Sequence, residues 1–166
     1  MDKSRKLDSK LILGIDCGTA ITGWAVIEVF YSGKAPRLVD LGTIETHKFT
    51  PEAERLLDLG ESINQLLEEF NPDEAAVEDL FFFRNATTVI KVSQARGVVL
   101  FSLAKSKIPH YSYTPLQIKQ QLTSYGRAKK EQIIYMMNKI FSLKGKLKQD
   151  DAADALAVAY THYLLS

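Results

Sequence analysis

Apolar positions crowd together at Leu11 to Ile15 and stop at Asp16. So short an apolar run, cut off by a carboxylate, predicts a buried β-strand rather than a helix. Gly18-Thr19 marks a turn, and a second strand is expected from about Ile21 to Phe30. Ser32-Gly33-Lys34-Ala35-Pro36 is a further turn, and Arg37 to Thr46 reads as a third strand. Three strands joined by short turns form an antiparallel meander. The period then changes. Leu56, Leu59, Ile63, Leu66, Leu67 and Phe70 recur at helical spacing. Thr50-Pro51-Glu52 opens that helix with an N-cap, an N1 proline and an acid, and Asn71-Pro72 ends it.

The remaining pattern predicts a short strand over Asp73–Asp79 and a long helix from about Asn85 to Lys107, whose Ser93, Ala95 and Gly97 allow close packing. A fifth strand over Pro109–Thr114 follows, then a short helix between Pro115 and the Ser124–Arg127 turn. A helix over 128–142, a basic loop (LKGKLK) and a terminal helix over Asp150–Leu165 complete the chain. The order β-β-β-α-β-α-β-α-α-α predicts one α/β domain over residues 11–166 with a mixed sheet. Residues 1–10 read as a polar, frayed extension. No repeat, low-complexity tract or linker interrupts the chain.

Composition narrows the classes. With 166 residues, 46% hydrophobic and 25% charged, the chain is neither disordered, collagenous nor a disulfide scaffold. The single cysteine, Cys17, excludes an intrachain disulfide and a cysteine-rich zinc site, and fits a cytoplasmic protein. No apolar run suits a signal peptide or a membrane span. The net charge of +1 conceals strong segregation: residues 11–83 carry net −10 and residues 84–148 carry net +12. The basic stretch is a candidate phosphate-binding surface, weighed against lysines that merely solvate helix faces.

Four acids stand out against this pattern. Asp16 and Glu78 each end a buried apolar strand. Asp151 and Asp154 are i and i+3, on one face of the terminal helix. First-turn acids are favoured by the helix dipole, which accounts for Asp150 and Asp151 better than for Asp154. If the first and fourth strands are neighbours and the last helix lies over them, the four carboxylates converge. Repulsion and desolvation then call for a divalent cation. An all-oxygen ligand set selects Mg²⁺ or Mn²⁺ over zinc, and two such ions suit phosphodiester hydrolysis.

The segments LGIDCGTAITGWAVIE, VEDLFFFRNA, SQARGV, PLQIKQ, GRAKKEQ and DDAADALAVAYTH, in that order, resemble the RuvC family of bacterial Holliday junction resolvases over about residues 11–163. The resemblance implies an RNase H-like fold with strand order 3-2-1-4-5. It also implies a homodimer, a branch-migration helicase complex as partner, and Mg²⁺-dependent, paired symmetric nicking of four-way DNA junctions in recombination and repair. It places the catalytic, metal-holding acids on Asp16, Glu78, Asp151 and Asp154, with two ions per subunit. Its aromatic three residues beyond the glutamate falls on Phe81, and its junction-contacting lysines fall on Lys119 and Lys130. One departure is Cys17, where the family pattern has proline; strand alternation points it away from the face of Asp16.

Further DNA contacts are expected at Arg84, beside the Phe81–Phe83 run, and at Arg127, Lys129 and Lys130. The last three gather at a helix start, where cations oppose the dipole. An exposed Phe81 can wedge between base steps, whereas packing into the core is the plainer alternative. Trp24 and the tyrosines read as core or edge packing, and His47, His110 and His162 share no metal spacing. Three other readings compete. An RNase H-like nuclease of the pre-16S rRNA processing type gives no reason for the FFFRN segment. A sugar-kinase or actin-like ATPase, suggested by GIDCGT, needs a much longer chain. A junction-binding protein without catalysis needs a broken acidic set.

Overall fold

The computed structural model describes residues 8–79, 86–143 and 150–166. Strands β1 (Ser9–Asp16), β2 (Ile21–Phe30) and β3 (Arg37–Glu45) form the meander. Helix α1 (Glu52–Phe70) leads to β4 (Glu74–Glu78), and α2 (Ala86–Lys105) leads to β5 (His110–Tyr113). Helices α3 (Pro115–Thr123), α4 (Lys130–Ile140) and α5 (Asp150–Leu165) follow. The five strands form one sheet in the order β3-β2-β1-β4-β5. The meander is antiparallel, whereas β4 pairs parallel to β1 and β5 parallel to β4.

Strand alternation sorts the core into two layers. Leu11, Leu13, Ile15 and Cys17 join Ala75 and Val77 on one face, under Leu59, Ile63, Ala95, Val99 and Leu103 of α1 and α2. Ile12 and Ala76 face the opposite way, against Leu156 and the alanines of α5, with Ile118, Ile133 and Met137 of α3 and α4 behind. Asp16, Glu74 and Glu78 alternate onto this second face. Cys17 lies on the other, as strand alternation requires.

Two glycines bring α5 onto the sheet. A Cβ at Gly14 of β1 would run into the Ala155 carbonyl and the Ala159 side chain. One at Gly23 of β2 would meet the Asp151 carbonyl. The alanines at 152, 155 and 159, all fully buried, complete this close contact.

Several expectations shift. β1 begins at Ser9, not Leu11, because Ser9 Oγ donates to Glu28 (2.8 Å) and Lys10 Nζ pairs with Glu74 (2.7 Å). Two residues of the supposed frayed extension therefore belong to the sheet. Among the described residues, nothing lies within contact of a Cβ added at Gly97, so none of them explains the glycine by close packing. Trp24 does pack, against Phe70 at 5.6 Å. Tyr31, Tyr125 and Tyr135 are exposed, whereas Tyr111, on the edge strand, is part exposed and stacks on His162. Among the described residues, no helix is long and apolar enough to cross a membrane.

Candidate active site

Strand direction decides which end of the sheet carries the chemistry. β1 and β4 are parallel neighbours in the register Ile15↔Val77, so their C-terminal residues, Asp16 and Glu78, lie side by side. Both project onto the α5 face, and their side chains share a hydrogen bond. Asp16 also sits opposite Gly23 in the β1–β2 ladder, and Gly23 is where the backbone of Asp151 presses on the sheet. The close approach of α5 thus sets Asp151 beside Asp16. One turn further along, Asp154 bears on both strand-end acids.

Helices α3 and α4 close the site from the other side. Thr114 caps α3: its hydroxyl accepts from Gln117 N–H, and Gln117 Oε1 accepts from Thr114 N–H. This start places Lys119 near Glu78. Lys130, in the first turn of α4, puts Nζ 2.8 Å from Asp154 Oδ2. A crevice of about 40 Å³ runs between Glu78, Ile118, Lys119, Ile133, Asp154 and Ala157.

The electrostatics follow from burial. Desolvation, then the charge of Asp16 beside it, pushes Glu78 up to about 9. Asp16 is also raised, first by burial and then by Asp154 and Asp151, with Lys130 opposing. Without a cation, burial disfavours charge on both carboxyls, and Asp16 disfavours it further on Glu78. Burial likewise pushes the Cys17 thiol up, so it is an inert core group.

In chemistry these residues fit a divalent oxygen-loving cation: four carboxyls, partly buried, with no cysteine or histidine among them. Among the described residues no three such side chains already form a closed metal cage, and Lys130 Nζ lies 2.8 Å from Asp154 Oδ2. An ion held by Asp154 would compete with that ammonium group.

The remaining sequence candidates divide. Buried Ala128 anchors the turn before α4, leaving Arg127 and Lys129 exposed on either side of it. Lys130, expected on phosphate because a cation opposes the helix dipole, has a carboxylate partner here that already accounts for its position. Phe81 and Arg84 lie outside the described residues. Two residues given no role by the sequence prove well connected. Arg96 of α2 reaches the backbone of Glu78. His162 of α5, only 2% exposed, bonds Glu74 at 2.9 Å and the Tyr113 hydroxyl at 2.7 Å. Their partners lie far away in sequence, and no local pattern announces them.

Comparisons with known proteins identify a family over most of the chain. The family model for crossover junction endodeoxyribonuclease RuvC matches residues 12–162. The protein of that name from Petrotoga mobilis is 47% identical over 152 residues, 92% of each chain. That from Desulfitobacterium hafniense is 50% identical over 154 residues, covering 92% of this chain and 91% of the other. The solved structure of T. thermophilus RuvC in complex with Holliday junction substrate has a TM-score of 0.87 at 33% identity, with 94% of both chains covered. The yeast mitochondrial Holliday junction resolvase, at 18% identity and a TM-score of 0.63, shares the fold; it covers 90% of this chain and 77% of its own.

Proposed function

The chain belongs to the RuvC family of crossover junction endodeoxyribonucleases, and we propose that it resolves Holliday junctions through its strand-end acids and two divalent ions. It is a nuclease of DNA recombination, with four-way junction DNA as substrate. The observation that carries the site is the pairing of two half-buried carboxyls, Asp16 and Glu78, on adjacent parallel strands, with Asp154 bearing on both.

Asp16, Glu78, Asp151 and Asp154 would hold two Mg²⁺ ions, for which Mn²⁺ substitutes. When bound, such ions polarise the scissile phosphate and make water a nucleophile at neutral pH. The chain's own groups do the rest. Lys119 and Lys130 lie where an incoming phosphate adds negative charge, and Lys130 can exchange Asp154 for it. Arg127 and Lys129 extend the cationic edge to flanking phosphates, and Arg84 is a further expected DNA contact. The family resemblance assigns to Phe81, three residues past Glu78 in sequence, the parting of base steps at the crossover. We further infer a cytoplasmic homodimer, working with a branch-migration helicase, with α2 as the dimer contact.

Three substrates offered with Mg²⁺ test this reading: a four-way junction, plain duplex and structured RNA. The expected result is paired nicks in the junction alone. Equal cleavage of the RNA, or full activity in EDTA, overturns it.

A further inference from the structure

Arg96 sits in the SQARGV motif, on the opposite side of the sheet from the carboxyl cluster. Three of its contacts converge on the end of β4. Nε donates to the Glu78 carbonyl at 3.3 Å, Nη2 donates to Ser112 Oγ of β5 at 2.8 Å, and Nη2 pairs with Asp79 Oδ1 at 3.1 Å. Alternation explains the arrangement. The Glu78 side chain points to the α5 face, while Asp79 and Ser112 point to the α2 face, where Arg96 waits. The guanidinium therefore grips the strand from behind at the residue whose carboxyl projects in front. A ladder bond from Asp79 N–H to the Tyr113 carbonyl (2.8 Å) ties the same point to β5.

Position along the chain adds to this. β4 ends at Glu78, and the chain re-enters α2 at Ala86. Arg96 links that helix to Asp79, just past the end of β4. One planar fork thus ties together a strand end, the neighbouring strand and Asp79. A lysine, with one compact ammonium, cannot span all three.

We propose that Arg96 is a positioning residue for Glu78: it holds the β4 end in the one placement that lets this carboxyl share a cation with Asp16. The inference rests on Glu78 being a metal ligand. A carboxyl displaced by about 1 Å costs rate steeply while leaving remote substrate contacts intact.

The test compares wild type with Arg96→Lys, Ser112→Ala and Glu78→Gln by three readouts. These are Mn²⁺ affinity of the protein alone by calorimetry, junction affinity without divalent ion, and single-turnover cleavage rate. Arg96→Lys should bind Mn²⁺ about 5–10-fold more weakly and cleave at least 10-fold more slowly, with junction affinity within twofold of wild type. Ser112→Ala, which removes one of the three anchors, should move the first and third readouts the same way by about two- to threefold. Arg96→Lys with normal Mn²⁺ affinity and rate, while Glu78→Gln is inactive, overturns the role of Arg96 and leaves the site reading standing. Glu78→Gln cleaving normally overturns the site reading instead. If Arg96→Lys does not fold and Ser112→Ala equals wild type, Arg96 is a structural residue only and the inference fails.

Discussion

At Asp16 and Glu78 the protein keeps two carboxyls against each other in a place where each would be easier to hold alone. Burial raises both, Asp16 adds its charge against Glu78, and Lys130 and Lys119 offset only part of this. Such a pair weakens the metal-free fold in order to bind a cation. Glu78→Gln and Asp16→Asn should therefore raise the melting temperature in EDTA. Removing one such group is worth about 1–2 kcal/mol, roughly 2–8 °C for a domain of this size. Added Mg²⁺ should reverse the order, stabilising wild type and not the variants, while cleavage is abolished in both and junction binding persists. Melting curves with and without Mg²⁺ check this; variants less stable than wild type in EDTA would show that the pair supports the fold. Lysine variants read a different interaction. Lys119→Ala and Lys130→Ala should each flatten the log–log salt dependence of junction binding by about 0.9, the value of one phosphate no longer neutralised. A slope unchanged in both removes them from the interface.

At the scale of elements, the question is what holds α5 in axial register with the sheet. On α5, Asp154 and His162 are eight residues apart, about 12 Å at 1.5 Å per residue. On β4, Glu78 and Glu74 are four residues apart, about 13 Å at 3.3 Å per residue. The matched lengths let α5 meet β4 at both ends: Asp154 near Glu78, and His162 on Glu74. Lys10 and Tyr113 complete the far anchor, with Tyr111 stacked on the His162 ring at 4.5 Å. Burial pulls the Glu74 carboxyl up, but hydrogen bonds from Lys10 and His162 outweigh it and leave it below its ordinary value. A carboxylate lowered in the folded state stabilises above its unfolded value and stops doing so as pH falls through the folded one. Glu74→Gln should thus cost up to about 1 kcal/mol at pH 7, a figure kept small because the group keeps partial contact with solvent. The difference from wild type should close as pH falls below about 4.5, read from denaturant midpoints across that range. This anchor also marks where a sequence stops being legible. Asp16 and Glu78 are visible because a carboxylate ending an apolar strand is anomalous in itself. The strand order and the face of Cys17 follow from period and resemblance. His162 and Glu74, 88 residues apart, leave no local trace. Arg96 is equally silent, since one of its partners is a backbone carbonyl. The start of β1 escapes the apolar pattern because Ser9 and Lys10 are polar by composition and held by partners that only the folded sheet supplies.

The whole molecule poses a symmetry problem. A four-way junction needs two coordinated cuts, and two identical sites related by a two-fold axis supply them. For the homodimer proposed above, the outer face of α2 is the candidate contact. Its inner residues Ala95, Val99 and Leu103 are fully buried against the sheet, so they are not available to a partner. The outer ones are exposed: Ile90 at 60% and Phe101 at 68%, with Leu57 of neighbouring α1 at 59%. Ile90, Gln94, Gly97 and Phe101 follow at i, i+4, i+7 and i+11, one stripe of the helix. Gly97 is the telling member. A glycine inside a helix costs about 1 kcal/mol relative to alanine, and here an added Cβ would meet nothing among the described residues. A close-approaching helix of a second copy gives that glycine a use. Phe101→Glu should therefore shift the protein to monomer at micromolar concentration, seen by light scattering, with its melting temperature lowered only as far as the absence of dimerisation requires. Gly97→Leu should do the same while stabilising the isolated helix, because it fills the space the partner needs. Both monomers should still nick a junction, but their two cuts should come independently, leaving singly nicked intermediates that the wild type does not accumulate. If both variants remain dimers, the contact lies on another face. If wild type itself cuts both strands in concert as a monomer, the two-fold argument fails altogether.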